Sequence, residues 1–107
     1  MQRPDLSETF AALGDRTRFA IVERLIAEGE LSAGALQAET EISAPAVSRH
    51  LKILRRAGLV ERRIDGTHRL YSASARGLSA IGYWAISRRE FWTSGLDRLQ
   101  AAMERED

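Results

Sequence analysis

The stretch from Ser43 to Ser72, SAPAVSRHLKILRRAGLVERRIDGTHRLYS, constrains this chain most, because its hydrophobic period changes within it from helical to extended. Ser43 is a good helix N-cap, and Pro45 falls in the first turn, where a missing N–H costs nothing. Val47, Leu51 and Leu54 then recur at steps of four and three, one face of a helix that Gly58 closes. That phase leaves Ser48, Arg49, Lys52, Arg55 and Arg56 on the outer surface. From Leu59 the period is two. Val60 and Ile64 alternate with Glu61 and Arg63, Asp65-Gly66 makes a hairpin turn, and Leu70 and Tyr71 return. A basic helix joined directly to a basic hairpin matches a DNA major groove and the backbone or minor groove beside it.

Charge distribution supports that match, although the net charge of +1 hides it. Residues 1–42 hold four arginines against eight acids, and residues 77–107 hold four against five. Residues 43–76 hold seven arginines and Lys52 against Glu61 and Asp65 alone, a local net of +6. Concentration of cations on one structural unit is the footprint of a phosphate-binding surface. Arginine supplies fifteen of the sixteen cationic side chains, and its planar fork suits bidentate contacts to phosphate and guanine. Arg62, Arg63, His68 and Arg69 cluster near the hairpin tip, which would carry them toward phosphates.

The flanks read as helices. Leu6, Phe10 and Leu13 define a short one from Asp5 that ends at Gly14, and Asp15 caps the next, with Phe19, Val22, Leu25 and Ile26 as its core stripe and Gly29 as its stop. Ser32 offers an N-cap for a brief helix through about Thr40, with Leu36 inward. The expected architecture is mainly α with a small β-hairpin (α+β): a helix-turn-helix over about 32–57 and a wing over about 59–73, within one domain spanning 1–107. Residues from Ala75 to about Glu104 read as one long helix whose Trp84, Phe91, Trp92, Leu96, Leu99 and Met103 exceed what a small domain needs at its far end. That helix, with Leu6 and Phe10 of the first one, is expected to pack against a second subunit. At 107 residues a chain buries limited surface of its own, so a partner would add stability.

Other classes are narrowed by what is missing. The opening MQRPDLSETF lacks the apolar core of a signal peptide, and no stretch approaches the roughly 20 apolar residues of a membrane span, so a cytoplasmic protein is expected. Cysteine is absent, which removes disulfides and thiolate chemistry. Ser48 and His50 stand two apart on a helix, point away from one another and have no acid to orient the histidine, so no enzyme and no cofactor is expected. A winged-helix protein-interaction module is the better alternative, but it calls for an apolar or acidic recognition face.

The opening FAALGDRTRFAIVERL (Phe10 to Leu25), the core VSRHLKILRRAGLV (Val47 to Val60) and the wing RRIDGTHRLYS (Arg62 to Ser72) together resemble the ArsR/SmtB family of small winged-helix repressors. The resemblance covers nearly the whole chain and implies a homodimer that binds an inverted repeat in double-stranded DNA and blocks transcription. It implies that Ser48, Arg49, Pro45 and Lys52, with Ser43 and Arg56 nearby, meet base edges and phosphates. It implies further that Arg62, Arg63 and Arg69 contact backbone from the wing. His50 would sit either against the preceding helix or on a phosphate. The family's metal-sensing members carry a cysteine pair on the first helix of the helix-turn-helix or His and Asp ligands on the last helix. Here Leu31 to Glu39 has no cysteine and the last helix no histidine, and carboxylates alone, such as Glu90, Asp97 and Glu104, would make a poor zinc site. Two options stay open for regulation: no effector at all, or a small organic or protein ligand at Tyr83, Trp84, Phe91 and Trp92.

Overall fold

Side-chain caps decide where most helices begin in the computed structural model, which describes residues 5–105. The ends of the single domain expected over 1–107, residues 1–4 and 106–107, lie outside the described residues. Asp5 accepts from the Ser7 amide and starts α1 (Leu6–Leu13); Asp15 accepts from the Arg18 amide and starts α2 (Arg16–Glu28). Ser32 caps α3 (Ala33–Ala38), Ser43 caps α4 (Ala44–Arg56), and Ser74 caps α5 (Ala75–Ile86). Each such oxygen satisfies an amide that the helix leaves without a partner, typically worth about 1 kcal/mol where the cap is shielded.

Between them run β1 (Leu31–Ser32), β2 (Val60–Asp65) and β3 (His68–Ala73), an antiparallel sheet in the order β1-β3-β2. The expected hairpin is therefore three-stranded: Leu31 pairs with Tyr71 and Ser32 with Leu70, in a strand too short for any alternation to be read. Asp65 faces His68, so the loop is Gly66-Thr67, one residue later than expected, with Gly66 at φ 62° in the first central position that a two-residue hairpin reserves for glycine.

The core joins Ala12 of α1, Ile21, Val22 and Leu25 of α2, Leu36 of α3, and Val47, Leu51 and Leu54 of α4 to Leu59, Val60 and Tyr71. The α2 stripe is a correction. Phe19 and Ile26 are 50% and 57% exposed, because the buried line runs through Ile21 and those two side chains fall about 100° around the helix from it.

The expected long terminal helix is two helices, α5 and α6 (Arg89–Glu104), broken at Ser87 and Arg88. Ser87 Oγ donates to the Trp84 carbonyl at 2.8 Å, and the Arg88 amide closes a tighter turn onto Ala85. The Trp92 indole N–H then donates to the Ala85 carbonyl at 3.1 Å, filling from α6 an acceptor at the end of α5. No glycine makes the break. Gly82 sits within α5 and Gly95 within α6.

No residue of α6 is buried: Phe91, Trp92, Leu96, Leu99 and Met103 are 51–65% exposed on a 16-residue helix. The radius of gyration is 18.2 Å, against about 13 Å for a compact domain of this size. Phe10 meets Trp84 edge to face at 5.5 Å, and Leu6 is half-buried, so α1 contributes to the same apolar surface. Among the described residues no helix is long and apolar enough to cross a membrane.

Candidate nucleic-acid interface

Amphipathic phasing of α4 gives the interface its first half. With Val47, Leu51 and Leu54 essentially fully buried, Ser48, Arg49, Lys52, Arg55 and Arg56 all stand in solvent, as do Ser43 and Pro45 at the start of the helix. The wing supplies the second half. Arg62, Arg63, His68 and Arg69 are exposed, and a shallow groove lined by Lys52, Arg55, Arg56, Val60, Glu61 and Arg62 joins α4 to β2.

Among the described residues, Arg49, Lys52, Arg55, Arg56, Arg62 and Arg69 have no carboxylate within ion-pair distance. Of the arginines elsewhere, Arg24 and Arg18 are tied down, whereas Arg16, Arg89 and Arg98 also lack a carboxylate partner among the described residues. Arg24 bonds Glu28 at 2.8 Å, approaches Glu39 at 3.5 Å and reaches the carbonyls of Ala35 and Leu36, which clamps α3 to α2. Arg18 Nε donates to the Ala12 carbonyl at 2.8 Å. A surface that keeps its cations unpaired holds them ready for an external anion.

Three expected contacts are placed differently from the rest. His50 turns toward α2: its Nδ1 lies 3.3 Å from Arg18 Nη1 and 3.9 Å from Asp15 Oδ2, so of the two positions expected for it the ring takes the one against the preceding helix. Asp15 itself is held below the ordinary carboxylate pKa, chiefly by the Arg18 backbone amide and further by the Arg18 and His50 charges. Arg63 is held by Glu30 through Nε at 2.8 Å and Nη2 at 2.7 Å, and that donation lowers the Glu30 carboxyl below its usual value. His68 lies on the same face of the wing as Arg63, opposite Asp65.

Sequence reading did not single out Glu30 or Thr9. Thr9 is 1% exposed, with Oγ1 3.1 Å from the Asp5 carbonyl and 3.2 Å from the carbonyl of Ala57 just beyond α4, which pins α1 to the end of that helix. Its place between Leu6 and Leu13, among the apolar positions of α1, was the available signal. Glu30 offered none, since its partner is 33 residues away.

Helices α2, α3 and α4 leading to an antiparallel hairpin, with α4 and the hairpin exposing cations that have no carboxylate partner among the described residues, define a winged helix-turn-helix. Residues 13–63 match a family described as a helix-turn-helix domain. The HTH-type transcriptional regulator Rv2034 of Mycobacterium tuberculosis is 47% identical over 85 residues, 79% of this chain and 76% of that protein. The transcriptional repressor SdpR of Bacillus subtilis is 29% identical over 82 residues, 77% of this chain and 90% of that one. Among solved structures, an ArsR-like transcriptional regulator from Rhodococcus sp. RHA1 superposes with a TM-score of 0.68 at 31% identity, covering 94% of this chain and 90% of that one. A homodimeric winged helix-turn-helix DNA-binding domain from Mycobacterium bovis, a possible ArsR-family transcriptional regulator, gives 0.65 at 25% identity over 79% and 78%. This chain belongs to the ArsR family of helix-turn-helix transcriptional regulators.

Proposed function

We propose that this chain is a homodimeric, sequence-specific repressor in the cytoplasm, whose two α4 helices enter successive major grooves of an inverted repeat and so cover a promoter. The observation that carries this reading is the set of six exposed cations that α4 and the wing share, Arg49, Lys52, Arg55, Arg56, Arg62 and Arg69, with no carboxylate partner among the described residues. Arg49, in the first half of α4, is the side chain for guanine readout, since a bidentate contact to O6 and N7 discriminates by about 1–3 kcal/mol. Ser43, Pro45, Ser48 and Lys52 contact the flanking bases and phosphates, and Arg56, Arg62, Arg69 and His68 supply backbone affinity.

Dimerisation is supported by the bare apolar face of α6 and its continuation through Trp84, Phe10 and Leu6. Trp92, Leu96, Leu99 and Met103 recur at steps of four, three and four, the spacing with which one helix packs along another. Burying a large apolar side chain is worth about 1.5–3 kcal/mol, so a few such residues from each protomer outweigh the cost of association. A two-fold protein then selects a two-fold site.

Selection of tight binders from a randomised duplex library tests the reading. Enrichment of an inverted repeat with half-sites about 10 base pairs apart, or a multiple of that, is expected. Enrichment of a single unrepeated half-site would remove the dimeric mode, and no enrichment would remove sequence recognition.

A further inference from the structure

The two faces of the wing are chemically different. Residues opposite one another across β2 and β3 share a face, so Val60, Arg62 and Ile64 lie with Ala73, Tyr71 and Arg69. Val60 and Tyr71 belong to the core, and the same face runs outward through Arg62, Ile64 and Arg69, all exposed and without an ionic partner among the described residues. The opposite face carries Glu61, Arg63 and Asp65 with Ser72, Leu70 and His68. There the Arg63 guanidinium is already engaged, fork to fork, by Glu30. Because β3 lies between β2 and β1, this pair spans the middle strand and ties the wing to the residue that leads into the short β1.

We propose that Glu30 is a positioning residue for DNA binding: through Arg63 it ties the wing to β1, so that the wing meets DNA with its Arg62, Ile64 and Arg69 face and Arg63 touches no phosphate. The inference rests on the DNA-binding reading above. Two parallel bonds fix the orientation of a guanidinium as well as its place, which is what a strut between strands requires. The donors that a phosphate would take, Nε and Nη2, are the ones Glu30 uses. Arg62 shares its groove with Lys52, Arg55 and Arg56, and with the Glu61 carboxylate, so these four cations join helix to wing in one track. Ile64, 64% exposed between Arg62 and Arg69, offers that track an apolar contact to groove walls.

The test is a charge swap in the full chain, read by affinity and salt slope on a duplex carrying the selected site and on a scrambled one. Arg63→Glu alone is expected to weaken specific binding about tenfold, and adding Glu30→Arg to restore it to within about threefold of wild type. The salt slope of the restored protein equals that of wild type, whereas Arg62→Ala and Arg69→Ala each lower it by about 0.9. Where Arg63→Glu fails to fold, Glu30→Gln serves alone: it binds about threefold more weakly at an unchanged slope, despite the loss of one negative charge. A swap as weak as Arg63→Glu, or a Glu30→Gln protein that binds more tightly with a steeper slope, overturns the role of Glu30 and makes Arg63 a phosphate ligand. A wild type that does not distinguish the two duplexes overturns the DNA-binding reading as well, which separates the two failures.

Discussion

Gly77, near the start of α5, lies so close to Gly58 that a Cβ added to it would overlap the Gly58 carbonyl oxygen and come within 2.8 Å of its carbon. The chain that leaves the end of α4 and the helix that leads to α6 therefore touch backbone to backbone. Ser74 adds a bond from its amide to the Leu59 carbonyl at 2.9 Å beside the same contact.

Gly77→Ala is accordingly expected to destabilise the fold, by about 1–3 kcal/mol as overpacking against backbone does, or roughly 4–8 °C in Tm for each kcal/mol. Gly34→Ala is the matched control in α3, where the new methyl meets only Ser32 Oγ at 3.9 Å, and its Tm should hold or rise. Thermal unfolding of both variants at one protein concentration decides it. Equal Tm values would mean that α5 can shift without cost.

Thr9→Val should cost about 1–3 kcal/mol, because it keeps the shape and leaves the Ala57 carbonyl without its partner hydroxyl. Thr9→Ser should recover most of the loss. Urea unfolding with an unchanged m-value measures it, and a Val variant as stable as wild type would show that the hydroxyl contributes nothing.

Arg49→Ala should relax the preference at one base position of each half-site by about 1–3 kcal/mol, while Arg69→Ala weakens specific and random duplexes alike. Competition binding against single-base variants of the site separates the two. Equal losses on specific and random DNA for Arg49→Ala would remove it from base readout.

Leu96→Glu places a charge in the middle of the exposed apolar stripe of α6, where Leu96 is 65% exposed in the single chain. Buried in an interface, an unpaired carboxylate is costly enough to separate two subunits. Analytical ultracentrifugation should show a monomer that still folds. An intact dimer would put the interface elsewhere.

Acid should weaken the contact of α2 with α4. The pKa of Asp15 is lower in the fold than in the unfolded chain, so its contribution is present above the unfolded value near 3.9 and is lost as pH falls through the lower folded value. Asp15→Ala should therefore be less stable than wild type at pH 7, and the difference should shrink toward pH 2. A difference that stays constant over that range would mean that the carboxylate charge is not what caps the helix.

Much of this architecture is legible in the sequence where local chemistry decides it. Asp15, Ser32 and Ser43 cap the helices they were expected to cap, and Val47, Leu51 and Leu54 are buried as their spacing requires. What was misread depends on tertiary partners. Phe19 and Ile26 fit a helical stripe as well as Ile21 does, and only packing chooses between the two lines. The break at Ser87 and Arg88 rests on a bond from Trp92 across the bend, which no window of periodicity contains. At the interface, the outward positions of α4 follow from phase alone, whereas the capture of Arg63 by Glu30 and of His50 by Arg18 joins residues about thirty apart.

Fluorescence anisotropy of the purified protein on its own upstream promoter duplex, against a scrambled duplex of equal length, is the most direct measurement, taken from low salt to about 0.2 M. Saturable binding that prefers the promoter and weakens steeply with salt, by about 0.9 in log K per phosphate neutralised for each decade, is expected of the six free cations on α4 and the wing. Equal weak binding to both duplexes, or none, would contradict a sequence-specific DNA-binding role for this face.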